Sequence, residues 1–340
     1  MLVVVLWLLV ILTVLVLGVG RRSSLERAIT KYRIAKLQSK YAALAGLVYA
    51  ENQIAQDNRD TTSNRFDTLA ALGIPVSANK TAEDLFKHIK IPAGNFDVHP
   101  AEQDLTVKET RYGLSDEESR INLNALSVET TGVLKALLVD LGVDENVADT
   151  ISASVVDWRD EDSIALNQFG AEEDYYRSLP VPYSCKNKPF NSVEELTLVK
   201  GMTPDILQQI KSSVTVFPAS GRLLINFDTA SRRVLLALAN NFSGAKSNTD
   251  ESDAGSLVEK ILAYRSGPDG VAGISQQDID KIGLNTKERA IFLMMLSYQT
   301  KVSRFLRVDV QGHNDDASVG SRLVAVVDRE DFSVLSWQRD

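Results

Sequence analysis

The chain opens MLVVVLWLLVILTVLVLGVG (Met1–Gly20), twenty residues without a single charged side chain, and Arg21-Arg22 closes the run. A helix rises about 1.5 Å per residue, so such a segment spans roughly 30 Å, the thickness of a bilayer's hydrocarbon core. A cleavable secretory signal would have a basic start, a shorter apolar core and a small-residue cleavage site, and the segment does not read as one. It is expected to lie in a membrane or in a helical bundle of similar apolarity.

Working outward, residues 21–58 contain no proline and one glycine, Gly46. Leu25, Ala28, Ile29, Tyr32, Leu37, Tyr41, Leu44 and Val48 recur at steps of mostly three and four, which predicts one apolar helical stripe. Together the two segments predict a single helix of about 55 residues, roughly 80 Å long, far beyond the needs of a globular domain. Two readings stand: a single-span anchor with a helical stalk, or an assembly helix of pilin type. Arg21, Arg22, Arg27, Lys31, Arg33, Lys36 and Lys40 crowd the start of the stalk, and basic residues there ordinarily mark the cytoplasmic side.

The remaining residues suffice for two modest domains. With 37 basic and 45 acidic residues the net charge is −8, which argues against a nucleic-acid surface. The one cysteine, Cys185, excludes an internal disulfide. Asn58–Asn64 is polar and should end the long helix. Thr81-Ala-Glu-Asp84 has capping-box spacing and predicts a helix over Ala82–Lys90. Pro92–Val98 and Glu118–Leu123 read as short strands. Ser192-Val-Glu-Glu195 is a second capping box, before a helix that Gly201 ends, and Thr203-Pro204 starts the next. Gly267–Gly273 reads as a turn. From Lys301 the period becomes two, in KVSRFLRVDV, SRLVAVVD and FSVLSW, which predicts an antiparallel meander. The order implies an α+β body, residues 59–114 and 300–340, interrupted by an all-helical domain at residues 115–299.

The helical block carries a weak internal repeat. Ile121-Asn-Leu-Asn-Ala125 precedes the helical pattern at Gly132–Leu137, and Ile225-Asn-Phe-Asp-Thr-Ala230 precedes that at Val234–Leu238, each followed by a second helix. This layout is that of a helix-hairpin-helix unit, which can hold the DNA backbone. Only Lys135, Arg232 and Arg233 would serve, so a packed scaffold is the stronger reading, and a membrane-anchored DNA-binding protein is the alternative.

Between Asp157 and Asp174 lie seven acids and one arginine. Crowded carboxylates repel unless a cation or solvent relieves them, and calcium takes six to eight hard oxygens in flexible loops. Asp160, Asp162, Glu172, Glu173 and Asp174 are the candidate ligands. A solvated acidic loop is the competing reading. Trp158 and Tyr175-Tyr176 imply a packed loop, and no basic partner adjoins the acids in sequence. His88, His99 and His313 are isolated, with neither zinc-ligand spacing nor a nucleophile or phosphate-loop motif nearby, so no enzyme activity is expected.

The chain resembles the K-type minor pseudopilins of type II secretion systems over almost its whole length. The matching stretches are the Met1–Leu17 opening, YGLSDEESRINLNAL (Tyr112–Leu126), VVDWRDED (Val155–Asp162), GAEEDYYRSLPVPY (Gly170–Tyr183), KPFNSVEELTLVKGMTPDIL (Lys188–Leu207) and LINFDTA (Leu224–Ala230). The resemblance implies a long pilin-like helix, an antiparallel pseudopilin sheet and a large inserted helical domain. It implies a non-enzymatic subunit anchored by one span in the bacterial inner membrane, its body in the periplasm. Its partners would be two other minor pseudopilins, at the tip of the pseudopilus above the shaft, and the prepilin peptidase acting on the precursor, with no nucleic acid. The acidic loop would be the family's calcium site. Two departures accompany it. No basic leader ending in glycine precedes Met1, as in a processed or trimmed sequence. Position five is Val5 where most pilin-like subunits carry glutamate, a lack typical of the K type. Met1, Val5, Leu25, Tyr32 and Tyr41 are then the expected assembly residues.

Overall fold

A single helix, Leu2–Asp57, runs for 56 residues in the computed structural model, which describes residues 1–59, 72, 81–92, 94–100, 112–243, 250–265, 273–315 and 318–339. Among the described residues it is the one helix long and apolar enough to cross a membrane, with a mean hydropathy of 3.2 over its most apolar window. Nothing before Ala35 is buried. From there the buried positions are Ala35, Ser39, Ala42, Ala43, Gly46, Leu47, Ala50 and Ile54, mostly small and three or four apart.

The predicted stripe is therefore not the packed face. Leu25, Ile29, Tyr32, Leu37, Tyr41 and Val48 are exposed. A helix turns about 100° per residue, so Leu25, Ile29 and Tyr32 do continue the buried face, but they precede the sheet it packs on. Leu37, Tyr41 and Val48 project from the opposite side. Large apolar residues suggested one stripe where there are two unpartnered surfaces.

The sheet runs in the order Ile89–Ile91, Gly94–His99, Phe305–His313, Gly320–Asp328, Val334–Arg339, antiparallel throughout, with Ser115–Asp116 also paired to the central strand. The late meander thus forms as expected, although its first strand starts at Phe305. Alternation puts Leu306, Val308, Val310, Leu323, Ala325 and Val327 into one core with Ala43, Leu47, Ala50 and Ile54 of the helix. Contact is close enough to need two glycines. A Cβ on Gly312 would lie 2.3 Å from Ala43 N and from Ser39 O, and one on Gly46 would lie 2.4 Å from a Val310 methyl.

Between the early and late strands, the chain builds a second core on helical hairpins, Thr131–Asp140 with Glu145–Asp157 and Arg232–Phe242 with Glu251–Arg265. Asp144 and Ser231 cap their helices by accepting backbone N–H groups. This domain is not all helical. Ile121–Asn122 pairs in parallel with Val214–Thr215, and Ile225–Asn226 with Gln299–Thr300, so each repeat begins on a two-residue ladder. Asn122 and Asn226 hold equivalent turns, accepting from the N–H of Asn124 and of Asp228.

Other expectations need correction. Glu118–Leu123 is split by a buried 3-10 turn at Glu117–Ser119. The capping box at Thr81 and Asp84 forms, but its helix stops at Phe86 because Ile89 enters the sheet. Ser192 caps nothing with its side chain, and Val193–Leu198 is a 3-10 turn, whereas Thr203-Pro204 opens Pro204–Ile210 as its sequence predicts. The long helix ends at Asp57, and the rest of the polar Asn58–Asn64 stretch beyond Arg59 lies outside the described residues, as does the Gly267–Gly273 turn apart from Gly273.

Buried charge fastens the insertion to the body. Asp116 accepts from the hydroxyls of Thr229 and Ser303, Glu117 from Arg307 and Thr215, and Glu118 from the Arg304 backbone. Arg329 reaches the helix end at Asp57 and also donates to the Ser303 carbonyl. The insertion therefore joins at the end of the sheet beside Asp57. Where the helix leaves the opposite end, Lys36 donates to the Gly320 carbonyl at 3.0 Å.

Two outcomes follow from this packing. Deleting residues 1–24 should yield a soluble protein whose unfolding midpoint in detergent-free buffer equals that of the full chain in micelles, and an insoluble or unfolded product would refute the separation. Gly312→Ala should destabilise the body by about 1–3 kcal/mol in denaturant titrations, since backbone and not a flexible side chain must yield.

Candidate metal centre

Asp157 ends the helix Glu145–Asp157 and is wholly buried. One carboxylate oxygen accepts the Leu166 N–H at 2.9 Å and the other accepts the Ala171 N–H at 2.7 Å, so the acidic loop is folded back onto it. Gly170 permits this, because a Cβ there would sit 2.0 Å from the Asp157 carboxylate. Trp158 and Tyr176 close the site with edge-on rings 5.0 Å apart.

This folding brings Asp160 and Glu172 to Asp157, with one oxygen of each inside a common 4.8 Å. Asp160 Oδ1 and both Glu172 oxygens are buried without a hydrogen-bond partner. Burial, reinforced by the neighbouring carboxylates, pushes Asp160 up to about 6 and Glu172 up to about 7. Asp157 is also raised by burial, against its two backbone hydrogen bonds. Orphaned hard oxygens are the donor type that calcium takes, and an ion there would replace mutual repulsion with attraction.

Of the five expected ligands, Asp160 and Glu172 converge. Asp162 is exposed beside them, its carboxylate accepting the Ile164 N–H at 2.7 Å, and it adds negative charge to the cluster. Glu173 is taken elsewhere: one oxygen pairs with Arg177 at 2.6 Å and the other accepts the Cys185 N–H at 2.7 Å. A basic partner is thus present after all, one helical turn on. Asp174 is exposed on the short helix Glu173–Arg177. Asp157, the member missed, stood in the motif as an acid directly after the apolar pair Val155-Val156. Arg159, the cation within the motif, donates instead to the carbonyls of Asn124 and Leu126. Burial pushes the Cys185 thiol up to about 11, and its sulfur lies 3.7 Å from the Asp157 carbonyl, outside the group of converging carboxylates.

The histidines are less isolated than their spacing implies. His88 lies 3.0 Å from Asp97, and His313 approaches the same carboxylate at 3.7 Å. The basic residues of the helical hairpins are occupied by acids, Arg232 by Glu259, Arg233 by Asp140, and Lys135 by Glu145 and Asp149.

Residues 119–219, which contain the acidic cluster, match the family model described as type II secretion system (T2SS), protein K. Type II secretion system protein K of Aeromonas hydrophila is 30% identical over 129 residues, 34% of this chain and 39% of that one. The Pectobacterium carotovorum protein of the same name is 32% identical over 128 residues, 34% of this chain and 38% of its own. Over these segments the chain is similar to type II secretion protein K. The matched segments thus span about two-fifths of those relatives. A putative protein K from Escherichia coli K12 aligns more widely, at 24% identity over 67% of this chain and 70% of its own. The fold is that of a chain in the crystal structure of the GspK-GspI-GspJ complex from enterotoxigenic Escherichia coli, with a TM-score of 0.59 at 18% identity, covering 93% of this chain and 99% of that one.

The raised carboxylates set the expected pH dependence. Unfolded Asp and Glu titrate near 4, so the chelated protein takes up protons on folding between about pH 4 and 7 and loses stability as pH rises through that window. Calcium requires the ionised forms, so its stabilisation should grow over the same window, reaching about 2.7 kcal/mol at a hundredfold excess over its dissociation constant. Thermal melts at about pH 5.5 and 8, in EGTA and in calcium, check this. Asp160→Ala should shrink the calcium effect, and equal melts in both media would exclude a structural ion.

Proposed function

We propose that this chain is a minor pseudopilin of type II secretion, held by Met1–Gly20 in the inner membrane with its body in the periplasm, and that it caps the pseudopilus tip and helps start its assembly. The observation that carries the reading is the polarity of the molecule. The helix projects bare from one end of the sheet, and the insertion is joined at the other. Subunits added beneath would pack on the exposed surfaces that include Leu25, Tyr32 and Tyr41. A subunit stacked above would meet the insertion.

The apolar segment supports the same order of assembly. Pilin-like subunits are read as pairing an early glutamate with a neighbour's terminal amine, and a buried ion pair of that kind fixes register. Here Val5 and the rest of Met1–Gly20 offer no carboxylate, so this chain makes no such pair to a predecessor. The partner named for the structural relative is a complex of three proteins, and the corresponding partners here would be two further minor pseudopilins. In this reading, calcium held by Asp157, Asp160 and Glu172 stiffens the insertion and takes no part in a reaction.

Photo-cross-linkers placed at Tyr32 and Tyr41 in cells should capture other pseudopilins, and Val5→Glu should add little to pseudopilus assembly. Cryo-microscopy of assembled fibres should show one copy at the end. Copies repeated along the shaft, with subunits above the insertion, would overturn the tip assignment.

A further inference from the structure

The insertion roofs part of the sheet's outer face, the face turned away from the long helix, and leaves a cleft of about 230 Å³ there. Four cations line it: Arg120 and Lys211 from the insertion, Arg307 and Arg322 from the sheet. Three are spoken for. Lys211 pairs with Glu194 at 2.7 Å, Arg307 with the buried Glu117, and Arg322 with Asp309. Arg120 is different. It is 7% exposed, and its guanidinium has no hydrogen bond or ion pair among the described residues. Its backbone alone is engaged, the N–H donating to the Glu117 carbonyl at 3.2 Å.

An arginine cannot shed its charge at any ordinary pH, and here the stem is buried while the guanidinium opens into the cleft, where solvent or a ligand must answer it. The two acids that line the cleft do not answer it, because Glu194 holds Lys211 and Asp309 holds Arg322, and the buried Glu118 beside it is taken by the Arg304 backbone N–H. The chain as a whole carries a net charge of −8, so an uncompensated cation in a cleft stands against the general field.

We propose that the cleft is a carboxylate-binding site in which Arg120 is the receiving group. The fork of guanidinium N–H groups matches a planar carboxylate in two parallel hydrogen bonds. Charge favours a carboxylate over a phosphate group, since one guanidinium fork is free and a phosphate would bring nearly two negative charges beside Glu194, Asp309 and the buried Glu118. The carboxylate belongs either to an acidic side chain of a neighbouring polypeptide or to a small free acid. Gln338, exposed on the sheet's edge strand and lining the same cleft, faces whatever enters.

The test uses the full chain in detergent micelles, with sodium acetate and sodium succinate as probes against sodium chloride at matched ionic strength. At about five times its dissociation constant a carboxylate probe should raise the unfolding midpoint by about 2–4 °C relative to chloride. Arg120→Met should abolish that difference, and Arg120→Lys should reduce it. In the unaltered protein, phenylglyoxal labelling of Arg120, followed by peptide mass mapping, should slow in acetate and not in chloride, which reads the residue even where a variant fails to fold. Equal midpoints and equal labelling in the two salts would overturn the proposal, as would a carboxylate effect that persists in Arg120→Met. A photo-cross-linker at position 338 in cells separates the sources: with the carboxylate effect present, capture of a polypeptide assigns a partner's acidic side chain, and its lack assigns a free acid.

Discussion

The structure depends on how closely one helix approaches one strand. Ser39, Ala42, Ala43 and Gly46 bring the long helix against Val310 and Gly312 of the central strand, so near that a methyl group on either glycine would strike its neighbour. That approach lets a helix of 56 residues be held along only part of its length. Helix–sheet packing usually rests on large side chains filling the gap between layers. Here the backbones nearly touch, and Leu47, Ala50 and Ile54 complete the seal further along. A helix fixed so rigidly on one side can leave its other surfaces, and its whole first half, free for other contacts.

That geometry explains which parts of the fold were legible in the sequence. The apolar opening and the late alternating strands follow from patterns that local chemistry enforces, and the structure has both. The buried face of the helix was hidden because hydrophobic periodicity weights large residues, whereas close packing selects small ones. Tyr41 and Val48 look like core residues in the sequence and are exposed in the structure, while Ser39 looks polar and is fully buried. Likewise, Glu118 opens a stretch that reads as a strand and Glu117 precedes it, but their buried carboxylates hold partners about a hundred or more positions distant, which no local pattern reports.

The acidic loop shows the same division. The composition of Asp157–Asp174 marks a place where charge accumulates, and Trp158 with Tyr176 does pack it. Sequence could not rank the seven acids, because the ranking depends on which carboxylate finds an outside partner. Arg177 removes Glu173 from contention by sitting one helical turn away. Asp157 joins because helix Glu145–Asp157 delivers it, buried, to the base of the loop. What remains is the pair without partners, Asp160 and Glu172, and an unpaired buried oxygen is a stronger sign of a ligand than an acid count.

Buried charge recurs at each joint of this molecule, and its placement links the helix to the insertion. Asp57 at the helix end pairs with Arg329, Arg329 also holds the Ser303 carbonyl, the Ser303 hydroxyl donates to Asp116, and Asp116 begins the path into the insertion. Each link is directional, so the insertion cannot rotate about the sheet without exposing or unpairing a charge, and the penalty for that is large. An axial load on the helix would therefore reach the insertion through hydrogen-bonded groups and not through a flexible tether. Apolar contacts alone would permit sliding at this junction. For a subunit proposed to stand at the end of a fibre, that stiffness is what converts movement of the helix into movement of the domain above it.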